Sequence, residues 1–309
     1  MISVSVIIPT LNRPDDLRAA LESLLKQSRF PDEILVIDQS AGEESKKVMQ
    51  DIQSRDAAKA GYFRHVVQQE KSLVKARNRG LSLATGDIIS FLDDDVVLFE
   101  DYYEKILPGF EKDPGVVALS GNTLIRQPLT GWKWTLRRWL KHFFLISHFD
   151  GKLTSSGFGY PIFEREITRQ VRVEMLPGCN MNYRRSAIGD EKFDEWFSGY
   201  GYREDADFSY RITRKGPAYM VPDAKLWHNY SLVSRLTEEQ LKPMTIRNYY
   251  HVFYKFKGHR FFSTLLFYYS LLGLTVLDVI EYLSQRTPEK WGKLKAGVSA
   301  SFAVFRSAG

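Results

Sequence analysis

Asp87-Ile88-Ile89-Ser90-Phe91-Leu92-Asp93-Asp94-Asp95 decides how the chain is read. Ile88 to Leu92 is a short, almost wholly apolar run, the pattern of a strand buried on both faces. It passes without a turn into three consecutive aspartates. Neighbouring carboxylates repel one another, so folding them together calls for a positive charge between them. A hard divalent cation supplies it, and carboxylate oxygens are its preferred ligands. The plainer alternative is a solvated acidic turn, since charge runs are usually surface features. The apolar run favours the metal reading, because it puts the acids at the mouth of a buried strand.

Working outward, strand and helix signals alternate. Val4 to Ile8 is a β-branched run ending at Pro9. Asn12-Arg13-Pro14-Asp15-Asp16 reads as a helix start, with Asn12 as the cap, an early proline and acids in the first turn. Leu17, Ala20, Leu21 and Leu24 follow at helical spacing. Ile34 to Ile37 is a second strand with Asp38 at its end, and Phe63 to Val67 a third. Leu73 to Ala84 reads as a helix with Lys75, Arg77 and Arg79 around it, closed by Thr85-Gly86. A helix marked by Tyr103, Ile106, Leu107 and Phe110 and a strand over Val116 to Leu119 come after the aspartates. This alternation predicts an open, largely parallel α/β sheet. Ligands of such sheets sit beyond the carboxyl ends of the strands. Thr10, Asn12, Asp38 and Asp93 to Asp95 all fall there.

The second half is less regular. Pro177-Gly178 opens a loop before Cys179-Asn180-Met181-Asn182. Glu204-Asp205 starts a compact helix that ends at Arg214-Lys215-Gly216-Pro217. A helix N-terminus favours an ionised carboxylate, which a general base needs, although simple capping would place acids there too. His228, in Leu226-Trp227-His228-Asn229, offers a ring nitrogen to a metal; a lone histidine is more often structural.

Bulk composition narrows the class. The chain has 309 residues, 44% of them hydrophobic, enough for a substantial core. Its single cysteine, Cys179, excludes an internal disulfide and the multi-cysteine zinc and iron–sulfur sites, and it suits a reducing compartment. The start MISVSVIIPT lacks the basic and long apolar regions of a signal peptide. A net charge of +6 is compatible with nucleic acid, acidic lipid or phosphorylated substrates and does not choose between them. A dinucleotide-binding enzyme would carry Gly-x-Gly-x-x-Gly after the first strand, and a nucleotidyltransferase a glycine-rich phosphate loop; Thr10-Leu11-Asn12-Arg13 stands there instead. A nucleic-acid-binding module would leave the two acidic clusters at element ends without a purpose.

From about Val4 to about Tyr230 the chain resembles the family 2 glycosyltransferases of GT-A fold. The resemblance rests on motifs in the family's order: Val6-Ile7-Ile8-Pro9-Thr10-Leu11-Asn12-Arg13, Ile37-Asp38-Gln39-Ser40, Ala76-Arg77-Asn78-Arg79-Gly80 with Ala84-Thr85-Gly86-Asp87, Phe91-Leu92-Asp93-Asp94-Asp95, Pro177-Gly178-Cys179-Asn180-Met181 with Arg184-Arg185, and Tyr202-Arg203-Glu204-Asp205. It implies a mostly parallel, Rossmann-like sheet flanked by helices and a nucleotide-diphosphate sugar as donor, uridine ahead of thymidine and guanosine. Pro9, Thr10, Asn12, Arg13 and Asp38 would hold the nucleoside, with Lys71 and Arg77 near the base or phosphates. Asp93 and Asp94 would face the donor, Asp93 on its ribose or metal side, and Asp95 would bind Mn2+ or Mg2+. His228 falls where some relatives place a further ligand. Asp205, beside Glu204, would be the general base of an inverting displacement. Processive members carry Gln-x-x-Arg-Trp after the acidic pair; here Arg138-Trp139 lies earlier and lacks the glutamine, so transfer of a single sugar is expected.

Domain organisation is expected as a catalytic domain over 1–235, divided into a nucleotide-sugar half (1–122) and an acceptor half (123–235), with a helical extension over 236–309. Phe261 to Val279 in that extension, FFSTLLFYYSLLGLTVLDV, is borderline for a membrane span, and Asp278 and Glu281 cut it short. Tyr249, Tyr250, Phe253, Tyr254, Lys255, Lys257, His259 and Arg260 flank it, and Trp132, Trp134, Arg137, Arg138, Trp139, Lys141, Phe143 and Phe144 form a similar basic–aromatic stretch. The preferred reading is a helix lying on anionic lipid, with burial and spanning as alternatives. The expected setting is the cytoplasm at the inner face of the cell membrane, with a glycan or lipid-linked acceptor and no nucleic acid.

Overall fold

The computed structural model describes residues 2–124, 131–162, 166–197, 199–231, 233, 236–258 and 260–307. His259 and the expected boundary at 235 lie outside the described residues. In chain order the elements are β1 (Val4–Thr10), α1 (Pro14–Leu25), β2 (Glu33–Asp38), α2 (Glu44–Arg55), β3 (Phe63–Val67), α3 (Leu73–Leu83), β4 (Ile88–Leu92), β5 (Val96–Leu98), α4 (Tyr102–Lys112), β6 (Ala118–Leu124), α5 (Trp132–Phe143), β7 (Val171–Val173), β8 (Asn180–Arg184), α6 (Arg185–Ile188), α7 (Glu204–Thr213), β9 (Ala218–His228), α8 (Glu238–Lys257), α9 (Phe261–Gln285) and α10 (Pro288–Ser307).

They form two compact units, Met1–Pro128 with Ile162–Ser234, and Leu129–Pro161 with Arg235–Gly309. Residues 129–161, expected in the acceptor half of the first domain, group with the C-terminal helices instead.

The first unit is built on one sheet in the order β3-β2-β1-β4-β8-β6-β9-β5, with β7 beside β9. β3, β2, β1 and β4 are mutually parallel, and β8 enters antiparallel between β4 and β6. Every residue of β1, β2 and β4 is buried, as their apolar runs demand of strands covered on both faces. Leu17, Leu21 and Leu24 of α1 and Tyr103, Ile106 and Phe110 of α4 pack into the same core. Strand order reverses between β1 and β4, the topological switch point where open α/β sheets bind ligands. The β1–β4 ladder ends at Ile7–Phe91, whereas β1 stays paired with β2 as far as Thr10–Asp38. The strands therefore part just before Pro9, leaving Thr10 and the aspartates on either side of the gap.

Two local readings change. Arg13, not Asn12, caps α1, because Pro14 takes the first helical position; Asn12 adopts a positive φ of 55° and donates its backbone N–H to Ser40 Oγ at 2.8 Å. The strand expected over Val116 to Leu119 runs further, as β6, and the short β5 precedes α4. α3 lies close on β1 at Gly80, where a Cβ would stand 2.3 Å from Ile7 Cγ2. That approach sets Arg77, about one turn earlier, over the strand ends.

The second unit is helical. Thr237 and Gln240 form a reciprocal capping box at the start of α8. Ile146, Phe158, Ile246, Tyr249, Phe253, Phe267 and Leu271 make its core, with Phe158 stacked on Tyr249 at 4.1 Å. α9 is long and apolar enough to cross a membrane, yet one side of it is packed within this unit.

Candidate active site

At the end of β4, Asp93, Asp94 and Asp95 take different environments. Asp94 points into the protein, where Thr10 Oγ1 donates to it at 2.8 Å and Arg13 Nη1 at 3.1 Å. Burial pushes its carboxyl up to about 7 despite both donors. Asp95 is also buried, but its Oδ1 lies 3.0 Å from His228 Nε2 and its Oδ2 accepts from the Ser231 backbone at 3.0 Å. Burial works to raise this group too; His228, Ser231 and Arg13 outweigh it and hold it down at about 2. Asp93 is the most accessible of the run, with 30% of its side chain exposed.

His228 reaches this place through strand register. β5 starts directly after Asp95 and pairs antiparallel with β9, setting Val96 opposite His228. Asn229 N then donates to the Asp95 carbonyl at 2.9 Å, and Tyr230, at φ 50°, places its ring 4.0 Å from that of His228. Ligand atoms of Asp93, Asp95 and His228 lie within 4.8 Å of one another. Metal–oxygen and metal–nitrogen bonds of about 2.0–2.2 Å would bring such a group to one cation with a small contraction. Two carboxylates and an imidazole could hold one divalent cation while leaving further coordination positions open.

The other expected donor residues surround the gap. Asp38, at the end of β2, is buried; Ser40 N donates to Oδ1 at 2.9 Å and His65 Nε2 lies 3.0 Å from Oδ2. Burial pushes Asp38 up, but these contacts prevail and hold it below the usual carboxylate range. Pro9 and Thr10 are buried, Asn12 is exposed, and Lys71 is exposed between β3 and α3. Arg13 is tied inward: besides Asp94, it donates to the Val233 carbonyl through Nε at 3.0 Å and Nη2 at 2.7 Å. His65, Ser231 and Val233 were not singled out from the sequence; His65 lies in the middle of β3, and Ser231 and Val233 follow the end of β9.

Across from the aspartates stands the acidic pair of α7. Glu204 is buried and accepts from Arg77 Nη1 at 2.7 Å. Arg77 Nη2 donates to Asp93 at 3.0 Å and to the Gly178 carbonyl at 2.9 Å. Arg77, expected near the base or phosphates, is thus a fully buried tie between α3, β4 and α7. Asp205 is only half-buried; its Oδ2 accepts the Gly178 N–H at 3.0 Å. Gly178 therefore grips Asp205 with its N–H and Arg77 with its carbonyl. Burial raises both carboxyls, Glu204 to about 7, with Arg77 opposing. The Arg77 guanidinium faces Asp93, Glu204 and Asp205 at once, and Arg203 adds a second positive charge near Asp205. Arg203 precedes the pair at the N-cap of α7 with φ 74°, a left-handed conformation. Arg184 and Arg185 bind backbone carbonyls of Val116, Phe110 and Gly86.

Two carboxylates and an imidazole at the switch point of such a sheet, faced by a second acidic pair, fit one class: α/β proteins of GT-A type. The sequence matches the model of Glycosyl transferase family 2 over residues 5–190, and the chain belongs to that family. Among curated relatives it is 26% identical over 123 residues to the glucosyl-dolichyl phosphate glucuronosyltransferase of Haloferax volcanii, covering 40% of this chain and 38% of that protein. It is 31% identical over 127 residues to the GalNAc(5)-diNAcBac-PP-undecaprenol beta-1,3-glucosyltransferase of Campylobacter jejuni, covering 41% and 40%. The matched stretch thus spans well under half of each relative. A mannosyltransferase of Pyrobaculum calidifontis in complex with GDP-Man and Mn2+ superposes with a TM-score of 0.59 at 14% identity, over 98% of this chain and 86% of that one. GalNAc-T7 with UDP, GalNAc and Mn2+ gives 0.55 at 18% identity, over 75% and 44%. These likenesses establish the fold.

Proposed function

We propose that the protein is an inverting glycosyltransferase that moves one sugar from a nucleotide-diphosphate donor to an acceptor hydroxyl. The carrying observation is the convergence of Asp93, Asp95 and His228 at the β1/β4 switch point, opposite Asp205. On this reading Pro9, Thr10, Asn12 and Asp38 line the nucleoside side, and Lys71 supplies a cation for base or phosphates. Asp93, Asp95 and His228 would hold Mn2+ or Mg2+, which when bound stabilises negative charge on the departing diphosphate. Solved neighbours with Mn2+ beside UDP or GDP-Man support that choice of ion and donor. A UDP-sugar is the favoured donor, with dTDP- and GDP-sugars as alternatives.

Asp205 is the base because it is the member of the pair that keeps an accessible face. It takes the proton of the acceptor hydroxyl as that oxygen bonds to the anomeric carbon and the carbon–oxygen bond to the diphosphate breaks. A single displacement inverts the anomeric centre. Glu204 and Arg77 position Asp205 from behind. The relatives named for dolichyl phosphate and PP-undecaprenol substrates support a lipid-linked or other glycan acceptor in cell-surface glycoconjugate assembly. We place the reaction at the cytoplasmic face of the cell membrane, with contact through the C-terminal segment. Incubation with UDP-, dTDP- and GDP-sugars, reading nucleotide release with Mn2+ and with chelator, tests the donor half. Mn2+-dependent release from one donor class is expected. Metal-independent release, or no release from any of the three donor classes, would refute it.

A further inference from the structure

Within the second unit, α5 is turned the wrong way for a soluble helix. Trp132, Leu136, Trp139 and Phe143 recur at helical spacing on one face, and all four are exposed, Trp132 by 73% and Trp139 by 57%. Lys133 and Arg137 flank that stripe and are exposed as well. The helix carries no acid anywhere along WKWTLRRWLKHF.

α9 shows the same inversion along its whole length. Phe261, Phe262, Leu265, Leu272, Val279, Ile280 and Leu283 are its large exposed apolar residues, Phe261 at 77% and Leu265 at 58%. On a helical projection all of them fall within one arc of about 100°, a stripe roughly 33 Å long. The opposite side is committed to the protein. Phe267, Leu271 and Leu274 enter the core of the unit. Asp278 pairs with Lys242 of α8, and Glu281 pairs with Lys290 and Lys293 of α10 at 2.6 and 2.8 Å.

The two stripes meet. Tyr269, on the exposed side of α9, packs its ring 6.0 Å from that of Phe143 and donates its hydroxyl to the Phe143 carbonyl at 3.2 Å. Ser270 Oγ donates to the Phe144 carbonyl at 2.7 Å, and a Cβ on Gly273 would stand 2.3 Å from Phe144. The stripes thus join as one aromatic–aliphatic surface edged by Lys133 and Arg137, with the exposed Lys255 and Arg260 near the N-terminal end of α9.

We infer that this joined face of α5 and α9 docks in the plane of an anionic bilayer, with α9 lying on the membrane and not crossing it. Exposed tryptophan and phenylalanine beside lysine and arginine match the boundary between headgroups and acyl chains. Acidic headgroups complement a surface with basic edges; a second copy of the same basic helix would not. A spanning α9 would have to surrender the Lys242, Lys290 and Lys293 pairs or carry them into hydrocarbon. The inference rests on the membrane contact proposed above and is independent of the transfer chemistry.

The test is flotation of the full chain with vesicles of phosphatidylcholine alone or containing phosphatidylglycerol, at low and high salt, followed by alkaline carbonate extraction. Leu136→Glu/Trp139→Glu and Phe262→Glu/Leu265→Glu interrupt the two stripes; Lys133→Gln/Arg137→Gln removes charge from two exposed side chains, of which Lys133 lies over the Trp132 ring at 5.9 Å. Binding to the phosphatidylglycerol vesicles, weakened by salt, released by carbonate and reduced about tenfold or more by each variant, is expected. Nucleotide release in vesicle-free buffer should be unchanged in all three variants, which separates failure of this inference from failure of the transferase reading. Wild-type binding equal on neutral vesicles, carbonate resistance, unaltered binding by the charge variant, or a vesicle-inert dimer that the stripe variants dissociate would each overturn it.

Discussion

Arg77 and Glu204 form a buried ion pair at 2.7 Å that joins α3 to the start of α7. The same guanidinium holds Asp93 at 3.0 Å, so one cation links an acid of the proposed metal site to the pair that carries the proposed base. Removing a single partner from such a pair leaves its counter-charge buried and unmatched. Arg77→Ala is therefore expected to destabilise the protein by about 3–5 kcal/mol, read by denaturant unfolding. A loss below about 1 kcal/mol would show that water reaches the site and replaces the guanidinium.

Glu204 gives stability a sign with pH. Its folded-state value is raised from 4.5 to about 7, chiefly by burial. Its contribution is fully present below about pH 4.5 and is lost as pH rises through about 7, where the carboxyl ionises against Arg77. Glu204→Gln should flatten the stability profile there. An unchanged slope in that variant would assign the pH dependence elsewhere.

Asp205 is also raised by burial, so a larger fraction of it is protonated in mild acid than for an exposed aspartate. As the proposed base must be ionised, turnover should rise with pH, with an acid-limb midpoint above the usual aspartate value of about 3.9. Steady-state rates from acid to neutral pH give that midpoint directly.

Gly178 touches both halves of this network. A Cβ there would stand 3.0 Å from Asp205 Oδ2. Gly178→Ala should push the carboxylate aside and slow turnover by about tenfold or more while nucleotide affinity stays close to wild type. Equal losses in both would mean that the loop shapes the donor side instead.

His228→Ala and Asp95→Asn each remove one ligand from the cluster held within 4.8 Å. Both should weaken Mn2+-dependent nucleotide binding by at least about tenfold, and isothermal titration with and without Mn2+ measures it.

Much of the placement of the candidate site is legible in the sequence because β1, β2 and β4 are largely apolar, fully buried runs with polar residues at their ends. Thr10, Asp38 and Asp93 to Asp95 declare themselves by that position alone. Tertiary register is not legible in this way. β5 is three residues long, and only its pairing with β9 brings His228 beside Asp95. Arg77 reads as one cation among several on α3; its burial depends on Gly80 seating the helix on β1 and on Glu204 arriving from 127 residues away. Asn12 has the chemistry of a helix cap, but the fixed φ of Pro14 hands that position to Arg13. Exposure of the α5 stripe likewise escapes periodicity, which finds the apolar face of a helix without saying what covers it.

Asp205→Asn tests the two-sided site most directly. The substitution keeps the shape and one of the two oxygens that accept the Gly178 and Ala206 N–H groups, while removing the base. Wild type and variant should bind the nucleotide with Mn2+ about equally by calorimetry, whereas sugar transfer should fall by at least about 100-fold. Transfer near the wild-type rate would contradict the assignment of Asp205, and loss of nucleotide binding together with transfer would contradict the separation of donor and acceptor sides.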